Sequence, residues 1–397
     1  MSVGEISAEL SGRRGAFELD VAFTTPMRGV TALFGPSGCG KTTVLRCIAG
    51  LDPLRGRLQV GETVWQDTAR GIFQQPHTRE IGYVFQEASL FDHLSVGDNL
   101  MFGRRRAEKR NGRSKTESLS SDEVIDLLGL EPLLDRDPYG LSGGERQRVA
   151  VGRALLSYPK VLLMDEPLSA LDRRAKEEIL PYFDALHQRL DIPILYVSHD
   201  PTEVARLADQ IVLMGNGRII ATGPVSEVFE RLDLGPATGR FEAGAVVSAR
   251  VREHMAEDSL TRLCILADTS DGLRETGQFL SLPSVNAAVG EDLRLRIRAR
   301  DVALATRRPE GLSIRNVLSG HLTEIVEDPG TAFAETLVDI GGARLRARIT
   351  RAAVRELRLQ TGDPVFALVK TISFDGRAIG AGGGLEPAAW RTRGPNE

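Results

Sequence analysis

The chain has 397 residues, of which 42% are hydrophobic and 26% charged, and its formal net charge at pH 7 is −4. This composition predicts about two or three folded domains and excludes a disordered chain. The slightly acidic balance argues against a general nucleic-acid binder, and no apolar run approaches the ~20 residues of a membrane-spanning helix. The first residues do not resemble a signal peptide, and three scattered cysteines favour a reducing compartment.

The first half of the chain alternates patterns of buried strands with patterns of helices. Short β-branched runs predict largely parallel strands at Val30–Phe34, Val161–Asp165, Ile194–Ser198 and Ile211–Met214. Helical spacing of apolar residues predicts intervening helices at Lys41–Ala49, Gly144–Leu156 and Arg173–Leu190. The alternation predicts an α/β domain built on a parallel sheet.

A complete P-loop pattern, Gly-x-x-x-x-Gly-Lys-Thr, joins the first of these strands to the first helix. Its glycines let backbone N–H groups close around phosphate oxygens at a helix N-terminus. Lys41 is placed to reach the β- and γ-phosphates, and the Thr42 hydroxyl is placed to ligate Mg²⁺. No acid–base partner is assigned to Cys39, so we do not expect a nucleophile there. The predicted nucleotide-binding residues of this segment are Gly35, Pro36, Ser37, Gly38, Cys39, Gly40, Lys41, Thr42 and Thr43.

Two carboxylates, Asp165 and Glu166, stand at the end of an apolar predicted strand. The carboxyl edge of a parallel sheet is where ligands bind in such folds, beside the P-loop. We therefore expect Asp165 to hold Mg²⁺ and Glu166 to polarise an attacking water. The alternative is that both acids only cap the following helix.

A serine and two glycines at the start of a predicted helix, in Leu141-Ser-Gly-Gly-Glu145, form a second potential anion site. Five segments, in their order along the chain, resemble the nucleotide-binding domains of ABC transporters. They are the P-loop, this serine–glycine segment, Asp165-Glu166, Ser169–Asp172 and Ser198–Asp200. The resemblance covers residues 1–235 and implies a P-loop NTPase domain of the ABC type. It also implies a homodimer that closes head to tail over two ATP molecules. The segment between the P-loop and the serine is too short for the coiled coil of ABC ATPases that act on chromosomes.

The resemblance implies roles for individual residues. Gln86 matches the glutamine that contacts Mg²⁺ and water and senses the membrane subunit, and His199 matches the histidine that holds the γ-phosphate and orients Glu166. Asp172 matches an acid at the dimer seam. The residues that match the signature, which contacts ATP bound to the opposite subunit, are Ser142, Gly143 and Gly144.

Two further features of this half are predicted from the same resemblance. An aromatic side chain stacks on adenine in the family, and Phe17 is preferred to Phe23 for this role. The apolar residues Leu90 and Phe91, which follow Gln86, are either core residues or a contact for an integral-membrane permease subunit, and the family favours the contact.

After a turn-rich stretch at Leu234–Gly239 the hydrophobic period changes to two. Leu293–Arg300 and Leu345–Ile349 alternate, and turns are predicted at Asp328–Gly330 and Gly341–Gly342, so the second half should be all-β, in small antiparallel barrels or sandwiches. One predicted strand face carries Arg294, Arg296, Arg298 and Arg300. A nucleic-acid-binding barrel would add stacking aromatics, which are missing around these arginines, so a solvated face is expected.

The segment Arg300–Leu304 and the string Gly311–Leu318 resemble the ATP-binding subunits of molybdate importers. The resemblance implies a β-rich connecting or regulatory subdomain at 236–310, an OB-like Mop/TOBE oxyanion module at 311–376 and a flexible tail at 377–397. Side-chain donors suited to a tetrahedral dianion are Ser313, Arg315, Asn316 and Lys370. Alternatively, 313–316 is only a turn and cap before a strand.

The sequence therefore predicts the ATP-hydrolysing subunit of a molybdate importer, with ATP, Mg²⁺ and possible bound molybdate as ligands. Its predicted partners are a second copy, a permease and, through the permease, a periplasmic or extracellular oxyanion-binding protein, without nucleic acid. The predicted location is the cytoplasmic face of the inner membrane. The alternatives are an importer of sulfate or tungstate, and an importer ATPase whose carboxyl-terminal module is a regulatory oxyanion sensor.

Overall fold

The computed structural model describes residues 4–111, 119–234, 244–269, 272–328, 330–370 and 374–379. Within these ranges the chain forms one 11-stranded sheet and two 5-stranded sheets. None of the helices in these ranges combines the length and apolar character that a membrane crossing requires.

The large sheet contains the amino-terminal strands. They are β1 (Glu5–Arg14), β2 (Phe17–Pro26), β3 (Val30–Phe34), β4 (Arg55–Val60), β5 (Thr63–Asp67), β6 (Ile72–Phe73), β7 (Ile81–Val84), β8 (Val161–Asp165), β9 (Ile194–Ser198), β10 (Gln210–Gly215) and β11 (Arg218–Pro224). Their spatial order is β6-β5-β4-β1-β2-β11-β10-β3-β9-β8-β7. The strands from β10 to β7 in this order run parallel, which confirms the predicted parallel sheet.

Helices pack on both faces of this sheet. They are α1 (Lys41–Ala49), α2 (Val96–Asn111), α3 (Ser121–Leu127), α4 (Gly143–Leu155), α5 (Arg173–Arg189), α6 (Pro201–Leu207) and α7 (Val225–Glu230). On β3, Ala32 and Phe34 belong to one apolar core and Leu33 to another, because successive side chains of a strand point to opposite faces. The sheet is thus buried on both sides, and the loops after β3, β7, β8 and β9 meet at its carboxyl edge.

The second half consists of two antiparallel sheets that share one apolar core. The first has the order β14-β13-β12-β15-β21 and the second the order β16-β20-β17-β18-β19. The strands are β12 (Gly244–Met255), β13 (Leu260–Thr269), β14 (Gly272–Pro283), β15 (Asp292–Arg298), β16 (Val302–Ala305), β17 (Asn316–Glu327), β18 (Phe333–Asp339), β19 (Arg344–Thr350), β20 (Pro364–Val369) and β21 (Phe374–Ile379), and α8 (Arg351–Glu356) follows β19.

The two small sheets exchange edge strands across residue 311, where the sequence predicts that the oxyanion module begins. β16 lies before that position and pairs with β20, and β21 returns from the far end of the chain to pair with β15. Each sheet thus takes an edge strand from the segment assigned to its neighbour. The predicted tail at 377–397 begins inside β21, and its remainder at 380–397 lies outside the described residues, as does 235–243, which holds most of the turn-rich stretch.

The arginine face of β15 is not the solvated surface that the sequence predicted. Arg296 is only 2% exposed, and its Nη1 donates to Thr202 Oγ1 at 2.9 Å. Arg294 Nη1 donates to the carbonyl oxygen of Ala208 at 2.6 Å. Alternation places these arginines on one face. Arg294 and Arg296 on that face pack against α6 of the amino-terminal half, whereas Arg300 is exposed.

Candidate active site

The P-loop follows β3 and ends where α1 begins at Lys41. A Cβ at Gly35 would lie 2.2 Å from the carbonyl oxygen of Met214, so only glycine fits there. Lys41 is buried, and its Nζ donates to the carbonyl oxygens of Gly35 and Pro36 at 2.8 and 3.1 Å. The residues at the loop tip, Pro36, Ser37 and Gly38, and Thr42 on α1 are exposed, whereas Thr43 is half-buried. The loop thus presents its tip to solvent and holds its lysine beneath it.

Asp165 lies at the end of β8 against the P-loop helix. Its two carboxylate oxygens accept hydrogen bonds from Thr42 Oγ1 at 2.8 Å and from the Tyr83 hydroxyl at 3.1 Å. Burial raises the pKa of Asp165 above its ordinary value, and burial beside this carboxyl raises the pKa of Tyr83 well above its own. Tyr83 was not predicted as a site residue from the sequence, although its place on β7, the parallel neighbour of β8, is a signal that could have revealed it.

Glu166 adopts an unusual backbone conformation directly after β8, with φ of 44°. Its N–H donates to Val197 at 3.1 Å, and its carbonyl accepts the Ser169 hydroxyl at 2.8 Å, which fixes the turn. Its Oε2 lies 3.1 Å from His199 Nδ1 and its Oε1 lies 4.0 Å from Lys41 Nζ. A non-glycine residue held in this left-handed region is typical of functional sites.

The loop after β9 supplies His199, whose side chain is 50% exposed. The N-cap of α5 is Asp172, not Asp165 or Glu166, so the capping alternative does not describe these two acids. The structure thus brings the lysine, the two acids and the histidine to one edge of the sheet. Gln86 is exposed two positions after β7, at the same edge.

The aromatic residues predicted for adenine differ in their surroundings. A Cβ at Gly40 would lie 2.9 Å from Phe17 Cζ, so the half-buried Phe17 ring lies directly against the P-loop. Phe23 is 6% exposed and belongs to the core.

Cys39 is buried under the loop, and burial raises the pKa of its thiol, which disfavours the nucleophilic thiolate.

The signature segment forms the start of α4. Ser142 is the N-cap: its hydroxyl accepts from the Glu145 N–H at 3.3 Å, and Glu145 Oε2 accepts from the Ser142 N–H at 2.7 Å. Ser142 is exposed, and Gly143 and Gly144 are half-buried. Asp172 is likewise exposed, and its carboxylate accepts from the Ala175 N–H at 2.8 Å. These polar groups lie on the surface rather than against the chain's own P-loop lysine.

An apolar surface lies beside Gln86. Phe91 packs on Phe102 with ring centroids 4.5 Å apart, and the Arg153 guanidinium lies 4.8 Å from the Phe91 centroid. Phe85 and Phe102 remain 39% and 42% exposed. Leu90 is partly buried and packs against the core, as the core alternative predicts.

The predicted oxyanion donors do not share one environment. Ser313, Arg315 and Lys370 are exposed. The register pairs Asn316 with Val369, which places Arg315 and Lys370 at adjacent strand ends. Asn316 is 2% exposed, and its amide donates to the Ser281 carbonyl at 3.0 Å and accepts from the Ser281 N–H at 2.7 Å. Contrary to the prediction, Asn316 therefore ties β17 to β14 across the two sheets.

Comparisons with known proteins identify relatives of this chain. A family model described as ABC transporter matches residues 19–169, and one described as TOBE domain matches residues 312–372. The molybdenum import ATP-binding protein ModC of Rhodopseudomonas palustris (strain HaA2) is 49% identical over 374 residues, which cover 93% of this chain and 95% of that protein. The protein of the same name from Hahella chejuensis is 46% identical, with 93% and 99% covered. Among solved structures, cbiO1 from Clostridium perfringens, part of the ABC transporter complex cbiONQ, covers 58% of this chain and 94% of its own, with a TM-score of 0.47 and 26% identity.

Proposed function

Because this chain belongs to the family of molybdenum import ATP-binding proteins, we propose that it hydrolyses ATP to energise molybdate import through a membrane permease. The observation that carries the proposal is the position of Glu166, held between His199 and Lys41 at the carboxyl edge of the sheet. Phosphoryl transfer requires neutralised phosphates and a positioned water, and these three side chains are suited to supply both.

These three side chains and Phe17 have different tasks in this proposal. Backbone N–H groups of the P-loop and the Lys41 ammonium hold the phosphates, and Phe17 stacks on the adenine. Glu166 accepts a hydrogen bond from the attacking water and polarises it. His199 holds the γ-phosphate and keeps the Glu166 carboxylate oriented through the 3.1 Å contact. The left-handed turn at Glu166 fixes where the carboxylate points before the nucleotide arrives.

The oxygen donors at the end of β8 fit Mg²⁺. This ion prefers carboxylate, hydroxyl and phosphate oxygens, and a nearby cation favours the charged form of a buried carboxyl such as Asp165. Thr42, Asp165 and Gln86 are the residues that would hold the ion, which would neutralise phosphate charge when bound.

The signature residues and Asp172 support a head-to-tail dimer. Ser142, Gly143, Gly144 and Asp172 lie at or near the surface, at the starts of two helices, where N–H groups attract anions. We propose that they complete the ATP site of a second copy, so that ATP closes the dimer and hydrolysis opens it. The apolar surface beside Gln86 would contact the permease, which would place the chain at the cytoplasmic face of the inner membrane and link it to a periplasmic oxyanion-binding protein.

Transport itself tests the proposal. Vesicles with the permease in their membrane, this chain and ATP inside and the oxyanion-binding protein outside are expected to take up labelled molybdate. Vesicles with sulfate or tungstate as the labelled ion distinguish the alternative substrates. Uptake of sulfate in preference to molybdate would overturn the substrate assignment, and uptake that does not depend on ATP would overturn the energy source.

The oxyanion module is tested separately by calorimetric titration of the full chain. We propose Ser313, Arg315 and Lys370 as the donors, so Arg315→Ala should weaken molybdate binding about tenfold, as expected for one charge-assisted contact. Arg308→Ala, which alters an exposed arginine a few residues away, is the matched control and should bind as the parent does. If the parent binds no oxyanion, the module has a structural or dimerising role, and the regulatory-sensor alternative fails with it.

A further inference from the structure

We propose that Arg296 and Thr202 are positioning residues for ATP hydrolysis, through which the carboxyl-terminal region holds His199 in place. The inference rests on the proposed ATPase function and extends it to a part of the chain that touches no nucleotide. The inference depends on four residues, which we call the α6 clamp. They are Arg294 and Arg296 of β15, and Thr202 and Ala208 at the two ends of α6.

The first turn of α6 is directly connected to His199. Only Asp200 and Pro201 separate the histidine from Thr202, and the proline ring fixes the backbone angle φ at its position. The Asp200 carboxylate accepts from the Thr202 N–H at 2.8 Å, and the Asp200 N–H donates to Ser198 Oγ at 3.0 Å. Because this link is short and hydrogen-bonded at both ends, a shift of Thr202 is transmitted to His199.

Two arginines from the carboxyl-terminal half of the chain form hydrogen bonds with the two ends of α6. Arg296 Nη1 donates to Thr202 Oγ1 at 2.9 Å, and Arg294 Nη1 donates to the Ala208 carbonyl at 2.6 Å. Arg294 Nη2 also lies 3.5 Å from Asp209 Oδ1. Residues two apart on a strand share a face, so the two arginines reach the beginning and the end of one short helix. β21, the last strand of the same sheet, also contacts α6.

A third anchor connects α6 to the body of the ATPase domain. The Glu203 carboxylate is buried and accepts hydrogen bonds from Tyr196 at 2.9 Å, Ser198 at 2.8 Å and Lys176 Nζ at 2.7 Å. Lys176 belongs to α5, which begins at the proposed dimer seam after Asp172. The helix is therefore fixed on one side to the strand that ends at the histidine, and on the other side to β15.

The contacts of the clamp are hydrogen bonds with a defined direction, not only van der Waals packing. A buried guanidinium placed on one hydroxyl fixes the register of two elements, because a slip of either element leaves a buried polar group without its partner. A movement of β15 relative to α6 should consequently change the 3.1 Å contact between His199 and Glu166. The carboxyl-terminal region would thus change the rate of ATP hydrolysis without contacting the phosphates.

Two substitutions at one position test the clamp in the full chain. Thr202→Val removes the hydroxyl but keeps the β-branched shape, and Thr202→Ser keeps the hydroxyl. We expect Thr202→Val to lower kcat about tenfold, the rate equivalent of one hydrogen bond to a charged donor, and Thr202→Ser to stay close to the parent. The KM for ATP should change much less than kcat in both, since the P-loop, which makes most of the phosphate contacts, is not altered.

Further variants separate positioning from simple damage to the fold. Arg262→Ala, on β13 of the same sheet but paired with Glu253, is the matched control and should leave kcat unchanged. Arg296→Ala should lower kcat as Thr202→Val does, and the double variant should be no slower than either single variant. Equal stoichiometry of bound nucleotide in all variants shows that the protein is folded.

The outcomes are distinguishable from a failure of the proposed function. If Thr202→Val and Thr202→Ser turn over ATP at the parent's rate, the clamp inference is wrong while the ATPase assignment stands. If Thr202→Val raises KM by as large a factor as it lowers kcat, the contact only supports the fold, and the inference is also wrong. A parent chain without ATPase activity would instead overturn the function on which the inference rests.

Discussion

Replacing Glu166 with glutamine is expected to lower ATP turnover by a factor of about a hundred or more, the contribution typical of a positioned general base. Glutamine has the same shape but does not accept a proton, and its amide polarises water less. The carboxylate is fixed in advance by the left-handed turn at φ of 44° and by its contacts with His199 and Lys41. ATP binding should persist, because the P-loop residues that hold the phosphates remain.

The same substitution should trap a dimer. If hydrolysis separates two copies that ATP has joined, Glu166→Gln should accumulate as an ATP-bound dimer, measured as a doubled mass in light scattering. Glu177→Gln, which alters an exposed acid on α5 paired with Arg173, is the matched control and should behave as the parent does. Turnover by Glu166→Gln at the parent's rate would refute the role of Glu166, and a slow variant that stays monomeric with ATP would refute the proposed dimer.

The sequence was most informative where one short segment contains both the pattern that predicts its secondary structure and the residues that act on the nucleotide. The P-loop, the acids after β8 and the histidine after β9 are each attached to a buried strand, and parallel strands bring their ends to one edge. The architecture of that half, and the nearness of Lys41, Glu166 and His199, follow from this rule. The left-handed turn at Glu166 does not, since it depends on contacts with Val197 and Ser169 that arise only in the fold.

The errors in the second half have a common physical cause. Alternation along β15 shows that its arginines share a face, but not which element covers that face, and α6 lies about 90 positions earlier in the chain. Asn316 was assigned to a surface site for the same reason, because its partner Ser281 belongs to the other sheet. The exchange of edge strands across residue 311 likewise depends on pairing between segments that lie far apart in the chain. The local sequence pattern determines to which face of a strand a side chain points. The elements that cover that face are determined by contacts between segments far apart in the chain.

Arg79 is a further residue whose importance only the fold reveals. It stands just before β7 yet is 2% exposed. Its Nη1 donates to the carbonyl oxygens of Cys47 and Ile48 at 2.9 and 2.6 Å, and its Nε donates to Gln74 at 3.0 Å. Burial lowers its pKa to about 10, so the guanidinium still carries its charge at pH 7. A cation beside the last carbonyls of α1 stabilises that helix through its dipole.

Arg79→Met is therefore expected to lower the free energy of unfolding of the ATPase domain by about 3 kcal/mol, because charged hydrogen bonds are lost and the Ile48 carbonyl is left buried without its donor. Methionine keeps a long unbranched side chain beside Phe73 and Trp65, but it loses the attraction of the guanidinium to these rings, which lie 5.1 and 5.8 Å from the guanidinium carbon. The measurement is urea unfolding followed by Trp65 fluorescence, with Trp390 replaced by phenylalanine in every variant. Arg57→Met, at an exposed position on β4, is the matched control and should unfold at the parent's midpoint. Because α1 carries Lys41 and Thr42, coincident midpoints for Arg79→Met and Arg57→Met would show that the P-loop helix is held without this buried cation.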